Sequence, residues 1–189
     1  MGGKKDSLKV VDLGCGKLRH LNILCDLFNN IILVDTKFQI ERKQKLGELF
    51  GTLSEYINKL GCNRNIQIVE TNAFSKSNVN ADIVLSIAVM GVVIRDSRTS
   101  MALSAYSNLK DDGYLLVITP RNDSATLINC KSENMYEDGY YFRNRGSGVY
   151  TFYTNYKDHT KLITIFTDVG FNLVEDFSTS RQVCLIFNK

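Results

Sequence analysis

Two acids and two glycines near the amino terminus have the types and spacing to bind a nucleoside. A short apolar strand ends at Asp12, and Gly14 and Gly16 follow it. Glycines allow a sharp turn and a close approach of a ligand to the backbone. A second apolar strand ends in Asp35, near the spacing of an acid that binds ribose hydroxyls. The sequence therefore predicts a nucleoside-cofactor site at the start of an α/β sheet.

Strand and helix patterns alternate along the chain, which is typical of an α/β fold. The sequence predicts strands at 9–12, 31–35, 66–69, 82–87, 114–119, 172–177 and 182–187. Helices are predicted over 18–28, 39–60, 97–109 and 160–169. We therefore expect a three-layer, doubly wound α/β fold. Its seven-stranded, mostly parallel sheet would carry a C-terminal antiparallel hairpin and an aromatic-rich lid insertion.

The longest predicted helix, 39–60, depends on one apolar stripe. Its apolar residues lie mostly three or four positions apart, as they do on the buried face of a helix. They are Leu46, Leu49, Phe50, Leu53, Ile57 and Leu60. Gly61 follows the last of them, and glycine is typical of a helix end.

Size and composition limit the class of protein. The chain has 189 residues, 44% of them hydrophobic, and a formal net charge of +3. This charge is too small to indicate binding to nucleic acid. We expect a single domain over 1–189, in which 121–159 forms a lid or a substrate-side insertion.

The cysteines indicate a reducing compartment. Five of them, at 15, 25, 62, 130 and 184, include no C-x-x-C pair. An odd number without that spacing argues against a disulfide framework and against a metal site. No apolar run reaches the length that spans a membrane, and no signal peptide is visible. We therefore expect a cytoplasmic protein that binds neither metal nor membrane.

Tyrosine and phenylalanine are concentrated between residues 136 and 156. Three roles are open: the core of a lid, the lining of a pocket for an apolar or planar substrate, or stacking on exposed bases. Residues 121–160 carry five Lys or Arg and five Asp or Glu. Because this segment is neutral, it favours a small molecule or peptide over nucleic acid.

The order of these motifs resembles the class I S-adenosylmethionine-dependent methyltransferases over most of the chain. The resemblance implies S-adenosylmethionine as cofactor, with its methionine part against the glycine turn and its ribose hydroxyls on Asp35. The 71–73 turn would lie beside the adenine, and the end of the 82–87 strand beneath the reactive methyl group. The implied cofactor-binding residues are Asp12, Gly14, Cys15, Gly16, Arg19, Asp35, Thr36, Asn72, Ala73, Ser86 and Ile87.

The third glycine of the family pattern is replaced here by Leu18. That position mainly governs helix packing in the family, and the path of residues 17–19 is therefore left open. Arg19 either pairs with the cofactor carboxylate or is a solvated arginine of the first helical turn.

Few catalytic residues are expected, because methyl transfer from a sulfonium mainly requires alignment of the acceptor and exclusion of water. A general base helps only where the acceptor arrives protonated. His159 is the candidate base, since histidine titrates near neutrality, and an exposed position at a helix start is its alternative role. Candidate substrate-side residues are Arg121, Asp123, Tyr140 and Tyr153.

Two other functions fit parts of the sequence. Tyr153 and Lys157 have the spacing of the catalytic pair of short-chain dehydrogenases, but the glycine turn lacks the pattern of those enzymes. A methyltransferase-like domain can also bind its cofactor without catalysis, as a scaffold. We expect a methyltransferase that acts on a small molecule, with a nucleic-acid methyltransferase or a non-catalytic domain as alternatives. The sequence predicts no oligomeric state.

Overall fold

The computed structural model describes residues 7–121, 135–143, 150–154, 156 and 158–189. Its strands are β1 (Lys9–Leu13), β2 (Asn30–Asp35), β3 (Gln44–Leu46), β4 (Leu49–Gly51), β5 (Asn65–Glu70), β6 (Ala81–Ile87), β7 (Leu109–Pro120), β8 (Met135–Tyr136), β9 (Gly139–Arg143), β10 (Tyr150–Thr154), β11 (Asn172–Asp176) and β12 (Gln182–Asn188). Its helices are α1 (Leu21–Leu27), α2 (Lys37–Glu41), α3 (Leu53–Leu60), α4 (Thr71–Phe74), α5 (Arg95–Asn108) and α6 (Thr160–Val169). None of the helices in these ranges has the length and apolar character to cross a membrane.

A seven-stranded sheet, in the order β11-β12-β7-β6-β1-β2-β5, forms the centre of the fold. Neighbouring strands from β7 to β5 run parallel, whereas β12 runs antiparallel to both β7 and β11. Because β11 and β7 therefore point the same way, their carboxyl ends share one edge with those of β6, β1 and β2. This arrangement confirms the predicted α/β sheet and its antiparallel C-terminal hairpin.

Side chains alternate between the two faces of the sheet and divide the core in two. On one face, Val11, Val84 and Val117 belong to a cluster that includes residues of α4, α5 and α6. On the other face, Val10 and Leu33 pack with residues of α1 and α3. Uninterrupted apolar runs, such as that of β2, are expected where helices cover both faces.

The predicted helix over 39–60 is wrong. The chain instead forms the short helix α2, the hairpin β3–β4 and the helix α3. Leu46 and Leu53, two residues of the predicted stripe, are fully buried, whereas Phe50 is 71% exposed. The apolar spacing therefore reflects the burial of separate elements rather than one continuous helical face.

A glycine turn and a helix cap interrupt the expected helix. Leu46 pairs with Leu49 across a two-residue loop, and Gly47 in that loop has a φ of +57°, which glycine adopts without steric cost. The Thr52 hydroxyl accepts a hydrogen bond from the N–H of Glu55, and the Glu55 carboxylate accepts one from the N–H of Thr52. This capping box begins α3.

A second, three-stranded sheet in the order β10-β9-β8, the small sheet, lies within the aromatic segment. The rings of Tyr141 and Phe152 contact each other across β9 and β10, with centroids 5.2 Å apart. Phe152 is buried. The segment therefore has a packed structure of its own, and its function as a lid stays a prediction.

Replacing Thr52 with alanine should lower the free energy of unfolding by about 1 kcal/mol, because the first turn of α3 loses its hydroxyl acceptor. Urea unfolding followed by circular dichroism measures the change. Ser54→Ala is the matched control, since Ser54 is exposed in the same turn. Equal losses in the two variants would contradict a helix that begins after Thr52.

Candidate cofactor site

The turn after β1 is held against the end of β2 by backbone hydrogen bonds. The N–H groups of Gly14 and Cys15 both donate to the carbonyl oxygen of Val34, at 2.8 and 3.1 Å. Gly14 and Gly16 have φ values of +83° and +54°, in the left-handed region that favours glycine. The backbone therefore bends sharply at the carboxyl edge of the sheet, where open α/β folds bind their ligands.

Asp35, the last residue of β2, binds the same turn through its side chain. Its Oδ2 accepts a hydrogen bond from the N–H of Gly16 at 2.7 Å, and its Oδ1 accepts one from the N–H of Thr36 at 2.8 Å. An ionised carboxylate has about four acceptor positions, so both oxygens can accept further bonds. The acid and the glycine turn are in contact, and their role in binding a cofactor stays a prediction.

Asp12 lies at the base of the turn as a buried acid. Asp12 is only 1% exposed, and its Oδ2 has no hydrogen-bond partner among the described residues. Burial, and then the negative charge of Asp35, raise the pKa of the Asp12 carboxyl from 3.8 to about 7. A cation or a hydrogen-bond donor beside Oδ2 would stabilise the ionised carboxylate.

Val89, in the loop after β6, faces the glycine turn. A Cβ atom on Gly14 would lie 2.4 Å from Cγ2 of Val89, so this position excludes a side chain. Of the two residues predicted at the end of β6, Ile87 is half-buried. Ser86 is fully buried, and its Oγ has no partner in the described part of the chain. The end of β6 thus combines an apolar wall with a buried hydroxyl.

Gln39 on α2 contacts the turn from another side. Its Nε2 donates to the carbonyl oxygen of Gly16 at 2.9 Å and to Oε1 of Gln44 at 3.1 Å. Its N–H donates to the Thr36 hydroxyl, which caps α2. Sequence analysis missed Gln39 because it placed the residue in a long helix, where a glutamine indicates only solvated surface.

Asn72 and Ala73, the predicted adenine-side residues, are exposed on α4. The side-chain amide of Asn72 donates to Oε1 of Glu70 at 3.1 Å. Glu70 is the Cα partner of Asp35 in the register of β2 and β5. The fold therefore brings Asn72 to the strand end beside Asp35, and it adds Glu70, an acid that sequence analysis did not select.

The other predicted residues of the turn differ in exposure. Cys15 is buried, and burial raises the pKa of its thiol above the ordinary range, which favours packing over reactivity. Arg19 and Thr36 are exposed. Both of them are therefore accessible to a ligand at the carboxyl edge.

Leu18, at the position of the third glycine, has a left-handed backbone. Its φ of +56° costs a residue with a Cβ atom about 1–2 kcal/mol. The side chain is only 4% exposed, in the core beneath α1. Burial of the leucine offsets the strain, so a leucine holds a conformation that a glycine would adopt freely.

His159, the predicted base, lies at the other half of the carboxyl edge. Its Nε2 is 2.7 Å from Oδ2 of Asp176, and its Nδ1 is 3.2 Å from Nη2 of Arg121. Because a guanidinium only donates, Nδ1 accepts and Nε2 carries the proton. Hydrogen bonds from Ser178 and then His159 lower the pKa of Asp176 to about 2. The catalytic role of His159 stays a prediction.

The predicted substrate-side residues fall into two groups. Arg121 lies beside His159, and its Nε donates to the carbonyl oxygen of Thr179 at 2.6 Å. Tyr140 and Tyr153 are cross-strand partners in the small sheet, and both are half-buried. Asp123 lies outside the described residues.

Comparison with known proteins identifies related sequences. A family model described as "Methyltransferase domain" matches residues 1–176. The Escherichia coli K12 protein YmfD is 27% identical over 141 residues, which are 74% of this chain and 62% of that protein. The chain thus spans less than two thirds of the length of this relative.

Solved structures share the fold. A SAM-dependent methyltransferase from Methanosarcina mazei is similar with a TM-score of 0.67 at 17% identity, over 98% of this chain and 93% of its own. A Burkholderia thailandensis 1,6-didemethyltoxoflavin-N1-methyltransferase, solved with that compound and S-adenosylhomocysteine, has a TM-score of 0.63 at 12% identity, over 97% and 72%. At such identities the likeness establishes the fold alone.

At position 18, unlike inside a helix, substitution by alanine should destabilise the protein more than substitution by glycine. Leu18→Ala removes a buried side chain and keeps the strain, so we expect a loss of about 2–5 kcal/mol in the free energy of unfolding. Leu18→Gly should be less destabilising by about 1 kcal/mol, because glycine has no penalty at positive φ. Urea unfolding measures both values.

Leu24 is the matched control for this comparison. It is also 4% exposed, but it lies inside α1. There glycine should be worse than alanine by about 1 kcal/mol. The same order of alanine and glycine at positions 18 and 24 would contradict backbone strain at Leu18.

Asp12 should make the ligand-free protein less stable as the pH rises from 5 to 7. The unfolded carboxyl ionises near pH 3.8, whereas the folded one retains its proton to about pH 7. Between these values the folded state binds one more proton, so the free energy of unfolding should fall by about 1.4 kcal/mol per pH unit. Above pH 7 this contribution should level off.

Urea unfolding at pH 5, 6 and 7 compares the wild type with Asp12→Asn, which should lack this slope. Asp26→Asn is the control, because Asp26 is exposed on α1 and should retain the wild-type slope. A parallel pH dependence in wild type and Asp12→Asn would rule out a protonated Asp12.

Proposed function

The chain belongs to the methyltransferase-domain family, and on this premise we propose that it transfers a methyl group from S-adenosylmethionine to a small acceptor molecule. The observation that carries the proposal is the contact between Asp35 and the N–H of Gly16, at 2.7 Å. It joins an acid at the end of one strand to a glycine turn at the end of the neighbouring strand. This combination suits a ribose and the groups attached to it.

The residues around the turn fit a nucleoside with a positively charged substituent. Asp35 retains acceptor capacity for ribose hydroxyls after binding two backbone N–H groups. Asp12 presents a buried oxygen that lacks a partner among the described residues, and a cationic group would provide one. Gly16 leaves open space at the turn, because a Cβ atom there would meet only the carbonyl oxygen of Gly14, at 3.8 Å. On the adenine side we assign Asn72 and Ala73. The remaining proposed contacts are Cys15, Gly16, Arg19, Thr36, Ser86 and Ile87.

S-adenosylmethionine supplies a methyl group that its sulfonium already activates. The residues of this chain then have to bind and orient the cofactor and the acceptor and to shield them from water. Val89 and buried Cys15 provide apolar surface that excludes water from the turn. Asp12 gives up its proton when a cation approaches its Oδ2, because the positive charge lowers the pKa of the carboxyl. The resulting carboxylate stabilises that charge.

The acceptor side is assigned to the region around His159 and the small sheet. For an acceptor that arrives protonated, Nδ1 of His159 is the atom proposed to take the proton once the acceptor replaces Arg121 at that nitrogen, since Nε2 is bonded to Asp176. Arg121 lies beside that nitrogen. Tyr140 and Tyr153, on one face of the small sheet, are proposed to contact the acceptor, as is Asp123.

A small molecule is the proposed acceptor because residues 121–160 carry equal numbers of basic and acidic side chains. A surface that follows a phosphate backbone would be basic. The Burkholderia thailandensis enzyme of similar fold, solved with 1,6-didemethyltoxoflavin, supports a small-molecule acceptor. Nucleic acid is the alternative acceptor. A cytoplasmic location is proposed as well, and it fits the proposed use of this cofactor.

Asp35→Asn should weaken binding of S-adenosylmethionine and of S-adenosylhomocysteine at least about tenfold, because the ribose hydroxyls lose a charged acceptor. Isothermal titration calorimetry measures both affinities, with NADH as a third ligand. Asparagine keeps one oxygen that can accept from Gly16, so the variant should still fold. Circular dichroism checks this.

Asp168→Asn is the matched control, because Asp168 is exposed on α6 and should not affect either affinity. Binding of NADH without the adenosyl ligands would favour a dehydrogenase. Absence of binding by all three ligands would refute the proposed methyl transfer. Tight adenosyl binding that Asp35→Asn leaves unchanged would refute the assignment of Asp35.

A further inference from the structure

A buried arginine on α5 joins this helix to the small sheet. Arg98 is fully buried, and its Nη2 is 2.5 Å from Oδ1 of Asp138, in the turn between β8 and β9. Its Nη1 donates to the Tyr156 hydroxyl at 2.8 Å. Burial disfavours the charged guanidinium and by itself lowers the pKa of Arg98. The bonds to Asp138 and Tyr156 outweigh this effect, so the pKa is raised. Loss of either partner would leave a buried charge partly uncompensated.

Tyr156 extends this contact to the loop after β6. Its hydroxyl donates to the carbonyl oxygen of Met90 at 2.7 Å, and both residues are buried. The N–H of Thr154, at the end of β10, donates to the carbonyl oxygen of Gly91 at 2.8 Å. The chain at and after β10 is therefore bonded to two successive carbonyl groups of the loop.

The first turn of α5 is bonded to the small sheet as well. Oε2 of Glu137 accepts a hydrogen bond from the N–H of Arg95 at 3.0 Å, at the helix end where N–H groups lack partners within the helix. Glu137 directly precedes Asp138, so one turn of the small sheet bonds both Arg95 and Arg98. The β6–α5 loop, residues 88–94, is thus bonded to this part of the chain at Met90 and Gly91 and, just after the loop, at Arg95.

The same loop faces the glycine turn on its other side. Val89 precedes Met90 in the chain, and its Cγ2 occupies the space that a Cβ atom on Gly14 would need. A shift of the Met90 and Gly91 carbonyl groups therefore moves Val89 relative to Gly14. The β6–α5 loop is the physical connection between the small sheet and the proposed cofactor site.

We propose that Arg98 is a positioning residue which, with Asp138 and Tyr156, couples the docking of the small sheet to the placement of Val89 against the glycine turn. The inference rests on the proposed function, because it identifies what adjusts that same site. Docking of the small sheet thereby sets the affinity for the cofactor. Since such coupling is reciprocal, cofactor binding also stabilises the docked sheet.

Asp138→Asn and Tyr156→Phe test this coupling in the full chain, at a temperature where circular dichroism shows both variants folded. Asp138→Asn leaves Arg98 without its counter-charge, so amide hydrogen exchange should become faster in 135–143 and in 88–94. The Kd for S-adenosylhomocysteine should rise about tenfold. Tyr156→Phe keeps the ion pair but removes the donor to Met90, so exchange should rise more in 88–94 than in 135–143.

Two further variants distinguish positioning from general destabilisation. Asp138→Glu keeps the negative charge and should retain most of the wild-type affinity. Asp82→Asn breaks the 2.5 Å pair with Lys110, at the start of β6 and thus at the opposite edge of the sheet. It should change neither the Kd nor the exchange of 88–94.

The inference is overturned if Asp138→Asn accelerates exchange in 135–143 without any change in 88–94 or in the Kd. It is equally overturned if exchange stays at the wild-type rate in both segments. If the wild type binds no S-adenosylhomocysteine, the proposed function fails. The exchange of 88–94 in the two variants then still decides the coupling, because that measurement needs no ligand.

Discussion

The carboxylate of Asp35 is the constraint on which the proposed site depends, because it joins the end of β2 to the turn that follows β1. Its bond to the N–H of Gly16 fixes the bend, and the carbonyl group of Val34 supports the same turn from the backbone. Asp12 lies close enough for the charge of Asp35 to contribute to its raised pKa. The carboxylate of Asp35 is thus hydrogen-bonded by backbone N–H groups. The pKa of Asp12 is raised, so a nearby donor or cation would favour its ionised form. We propose on this basis that the turn binds a positively charged ligand rather than an anion.

The order of the strands separates two groups of candidate site residues along one edge of the sheet. The ends of β1, β2 and β5 carry the acids and the glycine turn, and the ends of β7 and β11 carry Arg121, Asp176 and the neighbouring His159. The end of β6 lies between these groups, and the loop after it contacts both the glycine turn and the small sheet. A transfer reaction needs its two ligands aligned, and we propose this loop as the element that aligns them.

The central sheet could be predicted because its strands are short apolar runs, each with a charged or polar residue near its end. In β1, β2 and β6, burial on both faces makes such runs continuous, and their short length favours strands over helices. The segment 39–60 could not be predicted in this way. Leu46 and Leu53 are both buried, one in a hairpin and one in a helix, and their spacing also fits a single helix. Gly47 and the pair Thr52 and Glu55 contained the correct signal, but it is local, whereas the apolar stripe extended from Leu46 to Leu60.

The distance in sequence between contacting residues explains which parts of the site could be predicted. Asp35 and Gly16 are 19 positions apart, within one strand–helix–strand unit whose geometry fixes the spacing. Arg98 reaches Asp138 over 40 positions and Tyr156 over 58, and no local spacing links these residues. α5 is rich in serine and charged residues, so an arginine there indicates solvent rather than a buried ion pair. Contacts inside a recurrent unit can therefore be inferred from spacing, whereas contacts of the small sheet with α5 and with the β6–α5 loop require the folded chain.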